Sequence, residues 1–380
     1  MSATALPPVA PRRVALADDP AGARRFGAVA EWVYRRDPNW VPPLPGEERE
    51  TFDPRRNPSV RGIRARRWVL IEGDQPVGRI AAFTSPMRPE VGYFGFFECG
   101  DRQDHADRLL RTAEEWLAGE GCRECLGPIA VTPRDRIGLL TEGFERPAML
   151  FTPYNPPYYA GLLEGAGYAP EVALRAYGWA ADYADPRGVG RLAERAARGS
   201  PVRVRSLELS RLRAETRLVA RLINQTLAGA WHFDPIGAEE ADTMARLLRP
   251  ILDPAIALVA EDDEGPCGVA LAVPDVNWLW RQAGGRLWPL GWARLLRWYR
   301  RIPQARLMAL GLERRVQGSG LAARLIGQLH EAGLSRGYLR GELSQIFEDN
   351  LPMCRILDRM RLPIVRRYAV FARRLEPDRR

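Results

Sequence analysis

The chain has 380 residues, a formal net charge of +9 and 46% hydrophobic residues, and all 56 of its basic residues are arginine. At roughly 100–200 residues per domain this length points to two domains, and the apolar content lets each bury a core. Basic runs are short, which excludes a nucleic-acid-binding basic tail; the positive balance suits an anionic small molecule, a membrane surface or RNA without choosing between them.

The first residues, 1–13, are rich in Ala and Pro, read as a disordered tail, and lack an apolar core long enough for a signal peptide. A short apolar segment at 14–17 precedes a helical pattern over 21–35 and a Pro-rich loop over 37–45. Residues 68–71 and 77–83 flank a polar turn and predict an antiparallel hairpin. Residues 91–98 predict a further strand. Over 105–120, Leu109, Leu110, Ala113, Trp116 and Leu117 share one helical face, and Gly121 stops the helix. A strand follows at 125–129. A short helix then opens at Asn155 and the pair Tyr158/Tyr159, and a strand at 174–180 closes the half.

The segment 183–200, rich in Ala, Arg and Gly, reads as a linker. Beyond it the order restarts. Strand 202–207 is followed by helical patterns at 211–227 and 239–248, then a hairpin over 256–261 and 268–273. An apolar strand at 305–312 leads into a glycine turn and a helix ending near 336. Strand 338–344, a helix over 351–360 and a final strand pair over 364–375 complete the chain. The two halves, 14–182 and 201–376, thus repeat one order of elements. This predicts an α/β fold of two tandem domains, each a mixed, mostly antiparallel sheet flanked by helices.

Cys99, Cys122, Cys125, Cys267 and Cys354 are odd in number and irregular in spacing. Cys122 and Cys125 form a CxxC without a second pair, and His105, His232 and His330 are scattered, so no metal site is expected. No run is long enough to span a membrane. Free thiols and the absence of a signal predict a reducing, cytoplasmic setting.

The stretch Gln317-Gly-Ser-Gly-Leu-Ala322 fits Q/R-x-x-G-x-G/A. It lies between a strand and a helix in which Leu321, Leu325, Ile326 and Leu329 recur at helical spacing. Glycines admit close approach of an anion, and the free amides of a helix start point at its oxygens. The loop has no Gly-Lys-Ser/Thr and is not a Walker loop. A second register uses Arg315, Gly318 and Gly320; the Gln317 register puts the helix start directly after the glycines.

These residues resemble the GNAT superfamily of acyl-CoA-dependent N-acyltransferases, in a tandem two-domain form such as the bacterial ceramide-synthase-like branch. The resemblance implies that Gln317, Gly318, Ser319, Gly320, Leu321 and Ala322 hold the cofactor pyrophosphate. It implies that Leu310, Gly311 and Leu312 offer backbone amides to pantetheine and carbonyl, and that Asn350 contacts the cofactor. The N-terminal half departs from the pattern at Cys99-Gly-Asp-Arg-Gln-Asp-His-Ala106. There Asp101 and Asp104 would repel a pyrophosphate, so no cofactor is expected in that half. Asn155, Tyr158 and Tyr159 either shape an acceptor pocket or pack the sheet.

Acyl transfer to an amine needs a base for the amine proton. Glu342 is the first candidate, because a charge within a strand is otherwise unwelcome. Glu313 and Glu348 come next. The family's tyrosine acid has no counterpart, since Leu357 stands at its place; Tyr368 or Tyr159 could substitute.

An insert over 275–303 is rich in Trp and Arg. From Pro289, Arg294, Arg297, Arg300 and Arg301 line one side of a helical pattern, with Leu290, Trp292, Leu295, Leu296, Trp298 and Tyr299 on the rest. Residues 278–301 could touch a membrane peripherally, cap an acyl tunnel or dock between the domains. The partners expected are acyl-CoA and an amine acceptor, with a long-chain or lipid amine favoured by the lipid readings. DNA is not expected and RNA is disfavoured. Two alternatives stay open: a tRNA-dependent aminoacyltransferase, and a non-catalytic acyl-CoA-binding or membrane-docking module.

Overall fold

The computed structural model of the chain describes residues 12–44, 46–133, 136–180, 201–283 and 301–375. The linker at 183–200, the tail before residue 12 and the insert from 284 to 300 lie outside the described residues. So does the helical pattern expected from Pro289.

The first half supplies β1 (Arg12–Leu16), β2 (Ala65–Glu72), β3 (Gln75–Thr84), β4 (Val91–Cys99), β5 (Glu124–Gly127), β6 (Leu139–Glu142) and β7 (Ala169–Ala180). The second supplies β8 (Arg203–Ser206), β9 (Ala257–Asp262), β10 (Gly265–Pro274), β11 (Gln304–Leu312), β12 (Arg340–Phe347) and β13 (Ile364–Arg374). They form one 13-stranded sheet in the order β1-β2-β3-β4-β5-β13-β7-β12-β11-β10-β9-β8, with β6 beside β13. The halves have exchanged their last strands. β13 lies against β5 and β6 of the first half, and β7 lies against β12 of the second. The sheets of the two halves are thereby continuous.

Between the strands run α1 (Pro20–Val33), α2 (Glu47–Thr51), α3 (Gln103–Gly119), α4 (Tyr159–Gly165), α5 (Leu212–Leu227), α6 (Ala238–Leu248), α7 (Val276–Gln282), α8 (Leu321–Ser335) and α9 (Leu351–Arg359). The alternation of β10 shows how helices are assigned to faces. Val269, Leu271 and Val273 join the cluster of Leu222, Ile223 and Leu248 from α5 and α6. Ala270 and Ala272 face the other way, into the cluster of Leu321, Leu325 and Leu329 from α8. Leu222 and Leu325 are fully buried, each contributing about 1.5–3 kcal/mol of hydrophobic burial.

Two local expectations differ from the structure. The final segment forms one strand, Ile364–Arg374, and not a pair. Within it Arg366 is buried and Arg367 turns outward to Glu142 and Glu348. The short elements α2 and β6, of 5 and 4 residues, fall below the length at which periodicity is legible.

The start of the insert is docked between the halves. Trp280 is buried and its Nε1–H donates to the Pro42 carbonyl at 3.0 Å, while Arg281 donates to the Pro38 carbonyl at 3.0 Å. Trp280 therefore faces protein, not lipid.

Candidate active site

The site begins where two parallel strands part. The ladder between β11 and β12 runs from Gln304↔Arg340 to Leu307↔Leu343 and stops. Beyond it β11 stays on β10 up to Leu312, with Met308 as an extra residue opposite Leu271 and Ala272. Such a bulge bends its strand. β12 instead follows β7 after a register shift between Leu343 and Ile346. The result is a fork rooted at Leu307 and Leu343, with residues 307–310 only half-buried along its β11 arm.

The tip of that arm is fixed from below. A Cβ on Gly311 would lie 3.0 Å from Ile223 Cδ1 and 3.1 Å from Thr226 Oγ1, tight enough that these side chains of α5 would have to give way. The Leu312 N–H donates to Thr226 Oγ1 at 2.8 Å. Of the amides expected to face a ligand, the Leu312 amide is thus held by α5, and Leu310 is the half-buried one.

The loop after β11 lies at the open end. Gly318 and Gly320 have φ of +77° and +88°, a region side chains resist. A Cβ on Gly318 would meet nothing within 4 Å, so the turn faces open space. Gly320 caps α8, whose first intrahelical bond is from the Arg324 N–H to the Gly320 carbonyl at 3.1 Å. The first-turn amides of Leu321, Ala322 and Ala323 have no partner within the helix; the Leu321 N–H reaches the Ser319 hydroxyl at 3.4 Å. Gln317 Nε2 donates to the Leu312 carbonyl at 3.1 Å and ties the loop to the strand end. In the second register, Arg315 is held by Asp262 and Glu313. Asn350 caps α9, its Oδ1 accepting from the Met353 N–H at 3.3 Å.

Three carboxylates were candidates for the base, and their surroundings differ. Glu313 accepts from Arg221 at 3.1 Å and from Arg315 at 2.9 Å. Glu348 accepts from Arg175 at 2.8 Å and from Arg367 at 2.7 Å, and the hydrogen bond from Arg175 holds its carboxyl below the usual range. Glu342 is buried one residue from the fork root. Its Oε1 accepts from Arg366 Nε at 2.9 Å, and its buried Oε2 has no partner among the described residues. Tyr368 lies two residues from Arg366 on β13. Burial, then the nearby Glu342, pushes its phenol well above the ordinary range, and its hydroxyl makes no full hydrogen bond among the described residues.

Two arginines and an aspartate complete this cluster, and none was foreseen. Arg306, opposite Glu342 in the ladder, is buried. It donates to the Ser344 carbonyl at 2.8 Å and the Leu150 carbonyl at 2.7 Å. Arg366 donates to the carbonyls of Arg146 at 2.9 Å and Pro147 at 2.6 Å. Asp275 accepts from the Leu150 N–H at 2.9 Å and from Gln304 Nε2 at 2.5 Å, and burial pushes its carboxyl up to about 6. The loop of residues 146–150 is therefore stitched to the second half through groups beside the fork.

No family model matches the chain. Its shape is similar to a tandem GNAT protein from the clavulanic acid biosynthesis pathway, with a TM-score of 0.59 at 13% identity over 97% of this chain and 100% of that one. It is also similar to a GCN5-related N-acetyltransferase from Sphaerobacter thermophilus, with a TM-score of 0.55 at 13% identity over 96% of each. The chain has the tandem GNAT fold. In sequence it is 29% identical over 373 residues to a bacterial ceramide synthase of Caulobacter vibrioides (strain NA1000 / CB15N), spanning 94% of this chain and 96% of the relative. It is 28% identical over 366 residues to protein YghO of Escherichia coli K12, spanning 93% of each.

Within the tandem GNAT fold the first half carries the matching fork, and there it is filled. The β4–β5 ladder ends at Tyr93↔Leu126, but the Ile129 N–H then donates to the Phe94 carbonyl at 2.8 Å. Gly95 is pressed so close that a Cβ would lie 2.0 Å from the Ile129 carbonyl oxygen. Tyr159 reaches the end of β4. Its hydroxyl accepts from the Cys99 N–H at 2.9 Å and donates to Glu98 at 2.7 Å. Tyr158 donates to the Cys99 carbonyl at 2.9 Å. Asn155 accepts from the Leu140 N–H at 2.7 Å and returns a bond to its carbonyl at 3.1 Å. These residues pack the first half, and Tyr159 is not brought to Glu342. At the start of α3, Asp104 is paired with Arg12 and Arg102. Cys122 and Cys125 are buried free thiols. No described helix is long and apolar enough to cross a membrane.

Proposed function

We propose that the chain is an acyl-CoA-dependent N-acyltransferase whose donor binds in the second half. The observation that carries this reading is the open fork rooted at Leu307 and Leu343, which lies beside a helix start preceded by the outward-facing Gly318. The pyrophosphate of the donor lies on the amides of Gly318 to Ala322, and pantetheine runs along the β11 arm of the fork. The thioester carbonyl rests at the fork root.

The amine nitrogen attacks that carbonyl carbon. An N–C bond forms and the C–S bond breaks. Glu342 takes the amine proton through its unpartnered Oε2, directly or by a water, while Arg366 holds the other oxygen still. The proton that Glu342 takes leaves on the departing thiolate, and Tyr368, which burial keeps as a neutral phenol near Glu342, is the group that can relay it. Holding amine and thioester together supplies much of the acceleration. Glu313 and Glu348, each occupied by two arginines, serve as the rim of the site.

The acceptor is a long-chain amine. A relative that matches the chain almost end to end is named a ceramide synthase. Ceramide is the amide of a fatty acid and a long-chain amino alcohol, so the same chemistry here joins a fatty acyl thioester to a lipid amine. An aminoacyl-tRNA donor is less well supported, since the glycine cradle fits a diphosphate and no basic run accompanies it.

The test is release of coenzyme A thiol that depends on added amine, with hexadecanoyl-CoA and acetyl-CoA as donors and sphinganine and small soluble amines as acceptors. Turnover on the long-chain pair is expected. Turnover confined to acetyl-CoA and small amines would remove the lipid assignment, and absence of any amine-dependent thiol release would remove the enzyme.

A further inference from the structure

Phe151, a residue of the first half, is set beside the Glu342 cluster by both of its chain neighbours. The Leu150 carbonyl accepts from Arg306 Nη1 at 2.7 Å, and the Leu150 N–H donates to Asp275 at 2.9 Å. On the other side, the Thr152 hydroxyl lies against the Tyr368 phenol. Arg306 stands opposite Glu342 in the ladder, and residues paired in this way point to one face of a sheet. Phe151 is therefore carried to the face on which Glu342 lies.

Its backbone is strained. Phe151 has a φ of +60°, a region that side chains resist and glycine enters freely. Burial does not explain why a large ring stands there, since Phe151 is only half-buried. Strain that the surroundings hold in place, at a residue still open to solvent, is characteristic of ligand sites.

The ring belongs to an apolar surface that follows the fork. Met308 and Ala309 of the β11 arm pack on the same core cluster as Phe151, and so does Phe233 from the loop between α5 and α6. All of them are half-buried. That loop spans the opening of the fork. Thr226, near the end of α5, holds Leu312 at the tip of the β11 arm, and Trp231 packs against Phe347 at the end of β12, with ring centroids 6.2 Å apart. Arg88 of the first half pins the loop through Asp234 at 2.6 Å. Both halves thus frame one apolar wall beside the unpartnered oxygen of Glu342.

We propose that Phe151 is a specificity-determining residue for the acceptor: its ring, with Met308, receives the hydrocarbon nearest the amino group while the nitrogen lies at Glu342. The inference rests on the N-acyltransferase reading and adds the residue by which the first half selects the acceptor class. Amines that carry hydrocarbon gain contact with the wall, and compact polar amines do not.

The experiment has two parts. First, amine-dependent thiol release and coenzyme A affinity are measured for the wild type, Phe151→Gly and Phe151→Leu. The acceptors are sphinganine and ethanolamine, which is an amino alcohol without the chain. Phe151→Gly suits the backbone and deletes the ring. It is expected to lower kcat/KM for sphinganine about tenfold or more, through KM, and to leave ethanolamine within about twofold at unchanged coenzyme A affinity. Phe151→Leu, which keeps an apolar side chain, should fall between. Loss that is equal for both amines, no change, or wild-type turnover on ethanolamine alone would overturn the assignment. Second, the wild type is irradiated with coenzyme A and a sphinganine that bears a diazirine in the chain close to the amino group, which needs no variant to fold. Adducts on the peptides of Phe151 or Met308 support the proposal, and adducts confined to other segments overturn it. Failure of the wild type to release thiol with any amine would instead remove the enzyme reading, and this assignment with it.

Discussion

Arg366 Nε and Glu342 Oε1 are bonded at 2.9 Å across the strand that lies between them. That strand, β7, comes from the first half and presents Ala176 opposite Arg366 and Gly178 opposite Glu342. Small side chains on β7 give the guanidinium room to cross it. The pair therefore depends on the strand exchange: β7 and β13 must both be in place before Glu342 is oriented.

This pairing predicts different outcomes for two substitutions of Glu342. Glu342→Gln keeps an acceptor for Arg366 but cannot take a proton, so amine-dependent turnover should fall about 100-fold or more with coenzyme A affinity unchanged. Glu342→Ala leaves Arg366 buried without its carboxylate, which costs about 3–5 kcal/mol of stability. Steady-state kinetics on the first variant and denaturant unfolding on the second check these. If Glu342→Gln retains full turnover with its pH profile unmoved, Glu342 is only structural.

The cradle predicts a loss of affinity that follows charge more than strain. At φ +88°, Gly320→Ala strains the backbone by about 1–2 kcal/mol. Gly320→Glu adds to this a carboxylate facing a diphosphate, at a repulsion of about 1–4 kcal/mol. Calorimetric titration with coenzyme A should show the Glu variant binding at least about tenfold more weakly than the Ala variant. Equal affinities would place the diphosphate elsewhere.

Much of this was legible in the sequence because it is local. The glycine turn, its strand and its helix are contiguous, and Glu342 was conspicuous as a charge within a strand. Arg366, Arg306 and Asp275 escaped although each carried the same kind of signal. Arg306 interrupts the apolar run from Ala305 to Leu312, and Arg366 interrupts the run from Ile364 to Phe371. Each reads as a surface position until its partner is known. Asp275 caps α7 by accepting from the Asn277 N–H, a local role that gives no sign of its buried partners. The exchange of β7 and β13 was not legible at all. It is a choice between equivalent edges far apart in sequence, and hydrophobic periodicity is the same for either.

Asp275 gives a pH dependence with a definite sign. Burial raises its carboxyl from the ordinary 3.8 to about 6, against the hydrogen bonds from Gln304, Leu150 and Asn277 that favour the ionised form. The folded chain thus holds this proton more tightly than the unfolded one. The stabilisation is full below the unfolded value and is lost as pH rises through about 6. Asp275→Asn is always neutral, so its melting temperature relative to wild type should rise between pH 4 and pH 7 and level off above, on the order of the window between the two values. A difference that does not vary with pH would mean that Asp275 titrates normally.

Tyr159→Phe separates the two halves. The Tyr159 hydroxyl holds the Cys99 N–H at 2.9 Å and Glu98 at 2.7 Å where the first-half fork would otherwise open. Removing it leaves a buried amide and a buried carboxyl without that partner, which costs about 1–3 kcal/mol. The donor site lies in the other half and shares none of these groups, so coenzyme A affinity should stay within about twofold. Denaturant unfolding and calorimetric titration of the same preparation measure both. A large loss of affinity at unchanged stability would show that Tyr159 belongs to the ligand site and that the first half binds the donor.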